Sequence, residues 1–328
     1  MLILTKSIFS IILGLIFSIL FGYIILSIFK KKNFAQSVSR FLNERHLRKD
    51  GTPTMGGLIF IIPTLLIITI LLLLHKISIN NNLILILFIF ISYMILGLID
   101  DLQKVLFKNN KGISILEKFS IQIIIALIFF VVFIINGNNT IISFFNISID
   151  LKFFYGIFIL FLLAGCSNAV NITDGLDGLC GGCMIICLIT YGIIAWNKSY
   201  IIGNEEIAIF CFTLSGALLG FLFFNFYPAK IFMGDLGSLA LGSVLASIAI
   251  ILKLELSLAI IGIVFIIETI SSFIQIISIR YFHKKILKKS PLHHHFEELG
   301  YEEVNIIKIF YTFNIIFCLI ALLYYVWN

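Results

Sequence analysis

The sequence predicts an all-α polytopic integral membrane protein of about ten transmembrane helices, and three observations carry that reading. Of 328 residues, 60% are hydrophobic and only 12% are charged, which leaves too little polar surface for a soluble globule. The apolar residues come in successive runs long enough to cross a hydrocarbon core, where a helix satisfies its own backbone. Lys and Arg alternate between dense and sparse in the connections between runs, the pattern of the positive-inside rule.

Residues 8–29 form the first run, and Lys30, Lys31 and Lys32 follow it, which places the N-terminus outside. This run is long enough to span, so no cleavable signal peptide is expected. Further runs fall near 55–74, 83–99, 119–135, 153–170, 179–196, 206–225, 238–252, 256–282 and 306–326. An even total returns the C-terminus to the outside. No repeat or second domain is visible, so residues 1–328 read as a single transmembrane catalytic domain.

The charges test this arrangement independently of hydropathy. Connections assigned to the cytoplasm hold 17 Lys and Arg, the outer segments hold five, and Lys308 stands at an inner boundary. Six of the seven Asp (50, 100, 101, 174, 177 and 235) share the inner side, and only Asp150 lies outside. The formal charge of +6 is therefore a topology signal, and no nucleic-acid partner is expected. Alternation from Ile147 to Leu151 predicts a small hairpin in an outer connection. The six Cys all lie in apolar runs. Cys180 and Cys183 have Cys-x-x-Cys spacing, which suits zinc or redox chemistry, but small packing residues fit a spanning helix better.

Five clusters converge on the inner side. In the first, His46, Arg48 and Lys49 lead into the turn Gly51–Gly57, with Thr52 and Thr54, a cationic approach to backbone amides that suits a phosphate. In the second, Asp100 and Asp101 end the third run, followed by Lys104 and Lys118. Adjacent carboxylates repel, so such a pair binds a hard metal or supplies a general base. In the third, Asn168, Asn171, Asp174 and Asp177 recur every three residues and fan over one side of a helix. A charge inside a spanning helix costs about 2.5–3.5 kcal/mol on insertion scales, so a cation or a water-filled site is implied. The fourth runs from Asn225 to Ser238, with Phe232 suited to stacking and Asp235 beside Gly234 and Gly237. The fifth holds Lys288, Lys289, Pro291, His293, His294, His295 and Glu297. Consecutive His residues point in different directions, so they read as donors to an anionic substrate rather than as a chelate.

Each cluster alone has a plain alternative: a lipid-attracted basic loop, a solvated helix end, an Asp-closed turn or a surface His run. Together they form the inventory of phosphoryl transfer, in which chemistry is mostly positioning and charge neutralisation. Mg2+ is the natural ion, because the candidate ligands are oxygens.

The motifs Gly51–Gly57, Asp100–Asp101, Asn168–Gly178, Phe232–Asp235 and Pro291–His295 resemble, in kind and order, those of the phospho-N-acetylmuramoyl-pentapeptide transferase family. That family lies within the polyprenyl-phosphate hexose-1-phosphate transferases, and the likeness covers the whole length. The triple His and the Thr52–Gly57 turn favour this branch over relatives that use UDP-GlcNAc. Leu292 stands where Phe is more usual in the family, a small departure.

The resemblance implies an enzyme of peptidoglycan synthesis in the bacterial inner (plasma) membrane. It would transfer phospho-MurNAc-pentapeptide from UDP-MurNAc-pentapeptide to undecaprenyl phosphate, giving lipid I and UMP, with Mg2+ required. On this footing Asp235 is the principal Mg2+ ligand with Asn171 beside it, and Asp100 and Asp101 are the essential pair. Asp174 and His293 join the catalytic set. Lys49, Lys104 and Lys118 meet phosphates with Thr52 nearby, Asn168, Phe232, Gly175 and Leu176 lie near the uridine, and Asp177 lines the same cleft. Gln275, His294 and His295 face the sugar-peptide end with His293. A homodimer is a family property that nothing in the sequence itself shows. Direct attack by the lipid phosphate is favoured over a phospho-enzyme, since a metal-bound carboxylate is a weak nucleophile. The nearest alternative is a UDP-GlcNAc:polyprenyl-phosphate transferase. A secondary transporter is remote, since it predicts repeated halves and ionisable groups at the bilayer midplane, where only Glu268 and Gln275 are expected.

Overall fold

The structure, a computed structural model, describes residues 2–32, 51–107, 112–144 and 147–327. In chain order the described residues form α1 (Leu2–Lys32), α2 (Leu58–Leu73), α3 (Asn81–Leu106), α4 (Ile115–Ile135), β1 (Ile141–Phe144), β2 (Ile147–Asp150), α5 (Phe154–Thr173) and α6 (Leu179–Asn197). There follow α7 (Asn204–Asn225), α8 (Gly234–Ile251), α9 (Leu258–Ile261), α10 (Ile263–Phe282), α11 (Leu292–Glu298) and α12 (Glu303–Trp327). Nine of these helices are long and apolar enough to cross a membrane, and the apolar 16-residue α2 adds a shorter one. The expected all-α, multi-pass architecture of about ten spans is thus present. The strands form the predicted antiparallel hairpin, with Ile141 opposite Asp150.

One expected element differs. The run 256–282 is not one helix: a 3-10 turn at Glu255–Ser257 leads into the four-residue α9, and the chain breaks at Gly262 before α10 begins. Residues on both sides of Gly262 are apolar, so hydropathy passes over a break that the φ of −92° and ψ of 19° at Gly262 make plain.

The bundle is built around α7 and α8, whose side chains are almost all buried. Helices α1, α2 and α6 pack on α7, while α3 and α5 pack on α8; α4 and α10 lie against α5, and α12 against α6. The peripheral helices leave long apolar side chains uncovered, among them Phe9, Ile12 and Ile16 on α1 and Phe273, Ile276 and Ile277 on α10. In water such a belt is an aggregation hazard, whereas in a bilayer it is the lipid-facing surface. Hydroxyls inside the bundle turn back on their own helices, as in Thr64 to the Phe60 carbonyl (2.7 Å), Thr213 to Ile209 (2.7 Å) and Ser215 to Cys211 (2.8 Å). These hydroxyls are then satisfied without water.

Small residues let the helices meet closely. Where α7 crosses α1, a Cβ on Gly216 would collide with the Ile11 carbonyl oxygen. Gly216→Ala is therefore expected to force the pair apart at a cost of about 1–3 kcal/mol. A melting temperature several degrees lower in detergent, with activity retained below it, is the result to look for; an unchanged melting temperature would show that the crossing has slack.

Candidate active site

The end of α3, the start of α4, the end of α5 and the start of α8 meet at one end of the bundle. Oxygens of Asp100, Asp101 and Asp235 lie within 4.8 Å of one another there, an arrangement able to hold a metal ion. Asp100 and Asp101 are buried, at 3% and 1% exposure. Asp100 Oδ2 meets Lys104 Nζ at 2.6 Å, one helical turn on, and its Oδ1 accepts the Ile113 N–H at 2.9 Å. Asp235 Oδ2 accepts from Lys118 at 3.0 Å and meets Lys104 at 3.2 Å, while its Oδ1 accepts from Asn171 Nδ2 at 2.9 Å. Asp100 and Asp235 therefore share two ammonium groups, and Asp101 beside them adds a third carboxyl that no lysine among the described residues meets, an arrangement that favours a bound cation.

Asp101 has a different occupation. Its Oδ1 accepts the Asp235 N–H at 3.1 Å and its Oδ2 the Leu236 N–H at 3.0 Å, so it caps the start of α8. Gly234, at φ +78°, makes room for this: a Cβ there would lie 2.5 Å from Asp101 Oδ2. Asn171 Nδ2 also donates to Ser238 Oγ at 2.8 Å, so the amide is fixed between two residues of α8.

The other expected site residues divide. Asp174 is half-buried just past α5. The protein packed round its carboxyl pushes it up to about 8, with the charges of Asp235, Asp101 and Asp177 adding to the shift. Gly175 lies against His293, whose ring Nδ1 is 3.0 Å from Glu268 Oε2. His294 Nδ1 lies 2.6 Å from Glu297 Oε2, and His295 Nδ1 accepts the Lys288 N–H at 3.1 Å. Burial, more than any other influence, lowers the His294 imidazole below its ordinary value. Phe232 is half-buried, and its backbone pairs with Pro53 and Gly56 (2.8 and 2.7 Å), which docks the Thr52 turn on the start of α8.

Three residues face their own protein. Leu176 is buried. Asp177 Oδ2 accepts the Ala229 N–H at 2.9 Å and ties the loop before α8 to the loop after α5. The Gln275 amide donates to the Leu287 carbonyl (2.9 Å) and accepts from the N–H groups of Ile286 (3.1 Å) and Leu287 (3.0 Å), so it braces the loop after α10. Asn168 is exposed, with its amide on the Ala164 carbonyl at 2.7 Å. Lys49 lies outside the described residues.

Comparison with known proteins decides the lineage of this arrangement. The family model described as Glycosyl transferase family 4 matches residues 83–253, and phospho-N-acetylmuramoyl-pentapeptide-transferase signature 1 matches residues 49–61. The phospho-N-acetylmuramoyl-pentapeptide-transferase of Staphylococcus aureus is 44% identical over 316 residues, 95% of this chain and 97% of the relative. Those of Bacillus licheniformis and Bacillus subtilis are each 41% identical, over 321 and 322 residues, 97% of this chain and 98% of each relative. The chain belongs to the phospho-N-acetylmuramoyl-pentapeptide-transferase family.

As a member of that family the protein is a glycosyl-phosphate transferase, and the polar end of the bundle has the chemistry such an enzyme requires. The candidate site also draws on residues to which sequence alone assigns no individual role. Ser238 and the Ile113 amide hold Asn171 and Asp100 in place. Asn225 receives the Gly178 N–H at 3.0 Å and Glu303 receives the Asp177 N–H at 2.7 Å, which anchors the Gly175–Gly178 loop. Only Glu268 left a signal, a lone carboxylate in an apolar run.

Asp174 gives a pH prediction. A carboxyl whose folded value is raised keeps a proton that the unfolded chain releases, so its contribution to stability is present at about pH 4 and lost as pH rises towards 8. Metal-free protein should melt at a lower temperature at pH 9 than at pH 6, and Asp174→Asn should reduce that difference. Equal slopes for variant and parent would remove Asp174 as the cause.

Proposed function

We propose that this family member transfers phospho-MurNAc-pentapeptide from UDP-MurNAc-pentapeptide to undecaprenyl phosphate, forming lipid I and UMP at the cytoplasmic face of the bacterial inner membrane. Residues 1–328 act as one catalytic domain. The observation that carries the reading is a cluster of three carboxylates, two of them paired with Lys104 and Lys118, at one end of a spanning bundle. The donor is a water-soluble diphosphate and the acceptor a lipid phosphate, so the reaction needs its charged groups where the bundle meets water. The weight of Lys and Arg on the connections at this end supports the cytoplasmic orientation.

Asp235 and Asp100, with Asn171 turning its oxygen inwards, would hold Mg2+, while Asp101 fixes Asp235 through the first amides of α8; the donor set is all oxygen, as that ion prefers. When bound, Mg2+ neutralises charge on the donor diphosphate and polarises its phosphoryl oxygens. Lys104 and Lys118, which neutralise Asp235 in this structure, turn their ammonium groups to the phosphates and hold donor and acceptor in line. A lipid-phosphate oxygen then forms a bond to the sugar-bearing phosphorus. The bond from that phosphorus to the bridging oxygen breaks, and the oxygen leaves on UMP. Asp100, its carboxylate held by Lys104, is placed to take a proton from a monoprotonated acceptor phosphate.

The test is Mg2+-dependent release of UMP by purified protein supplied with undecaprenyl phosphate and either UDP-MurNAc-pentapeptide or UDP-GlcNAc. Turnover of the first alone is expected. Turnover of the second alone would keep the site chemistry but move the donor assignment to the sister branch.

A further inference from the structure

Glu268 is a fully buried carboxylate in α10 that the transfer chemistry above does not use, at 0% exposure. It holds His293 twice, accepting the backbone N–H through Oε1 at 3.1 Å and facing ring Nδ1 through Oε2 at 3.0 Å. The ring is itself buried, at 1% exposure, and His294 packs edge-on against it with centroids 4.3 Å apart. The other ring nitrogen, Nε2, is buried with no hydrogen-bond partner among the described residues. It points at Gly175, where a Cβ would collide with it. A buried polar atom without a partner is costly in a finished structure, and this one is covered by a glycine backbone that offers it no donor, so a ligand group that displaces the Gly175 loop would satisfy it.

From this geometry we infer that Glu268 is a positioning residue for the transfer reaction: it keeps the His293 proton on Nδ1 and leaves Nε2, which lies against the Gly175 loop, as an acceptor for an O–H or N–H of the donor. The inference rests on the transfer reading for its substrate, though not for its tautomer. A carboxylate only accepts, so Nδ1 opposite it carries the proton, and in the neutral ring Nε2 then keeps its lone pair. Glutamine would satisfy the backbone N–H through its oxygen but face Nδ1 with its NH2 group. The imidazole proton would then move to Nε2, which becomes a donor. The same logic makes an Asp-to-Asn change beside a catalytic histidine harmful in serine proteases even though the geometry survives.

The experiment uses full-length protein labelled with 15N-histidine in detergent micelles, with the His293 signals assigned by their loss in His293→Gln. Wild type should show protonated Nδ1 and bare Nε2. Glu268→Gln should move the proton to Nε2 and lower kcat/KM for the donor roughly 10-fold to 100-fold, with the melting temperature nearly unchanged, and Glu268→Asp should restore the Nδ1–H tautomer and part of kcat/KM. Should Glu268→Gln fail to fold, Gly175→Ala replaces it: a methyl against Nε2 should lower kcat/KM and shift the Nε2 signal while Nδ1 keeps its proton. A proton on Nε2 in wild type overturns the proposal, as does a Gln variant that keeps both tautomer and kcat/KM. Wild-type protein that releases no UMP would instead refute the transfer reading, and the tautomer measurement would still decide the role of Glu268.

Discussion

Asp235→Asn is expected to lower UMP release by about 10³-fold or more, the scale on which a single charge-stabilising group matters in phosphoryl transfer. The carboxylate stands where every polar element of the site meets. Its Oδ2 engages Lys104 and Lys118, its Oδ1 engages Asn171, and both Asp100 and Asp101 lie within metal-sharing distance. An asparagine keeps the size but removes the charge, and with it the strongest claim on a divalent ion. Its NH2 group would also face a lysine or Asn171, where only an acceptor fits. Raising Mg2+ should not rescue the variant, because two repelled lysines now stand beside the ion's place. Initial rates across a Mg2+ series settle the matter: recovery at saturating Mg2+ would leave Asp235 a minor ligand.

Asp101→Asn should also cost about 10³-fold in turnover, for a different reason and with a different companion effect. Both carboxylate oxygens of Asp101 are occupied by the first amides of α8, so the residue sets the position of Asp235 through the backbone that carries it. Asparagine satisfies one amide and opposes the other, and a buried amide without an acceptor costs about 1–3 kcal/mol. The favourable meeting of a negative charge with a helix N-terminus is lost as well. Asp101→Asn is therefore expected to melt several degrees lower than Asp235→Asn, a comparison that separates fixing the site from forming it. An inactive Asp101→Asn with the parent's melting temperature would mean that Asp101 meets substrate or metal directly.

Much of this was legible in the sequence because the energies involved are large. A carboxylate in an apolar run demands an explanation, so Asp100, Asp101, Asp174 and Asp235 stood out from composition alone. The spans were visible for the same reason. What each polar group does with its lone pairs was not, since that depends on which way a side chain turns once the chain has folded. Asp100 and Asp101 are neighbours of one chemistry, yet one faces Lys104 and the other the start of α8. Asp177 and Gln275 carry the right groups for a ligand but meet backbone from loops distant in sequence. Glu268 was expected near the bilayer midplane because the ninth run looked continuous. The break at Gly262 and the contact with His293 instead bring it to the level of the site.

That break has a mechanical consequence. From the break to Phe282, α10 is an unbroken rod of 20 residues, about 30 Å at 1.5 Å per residue, with Glu268 about a third and Gln275 about two thirds of the way along. A tilt about the break would move the tip furthest, the loop held by Gln275 about two thirds as far, and His293 least. The rod is a lever with the histidine fastened nearer its fulcrum than its tip, so a given tilt would displace the loop braced by Gln275 more than the His293 ring.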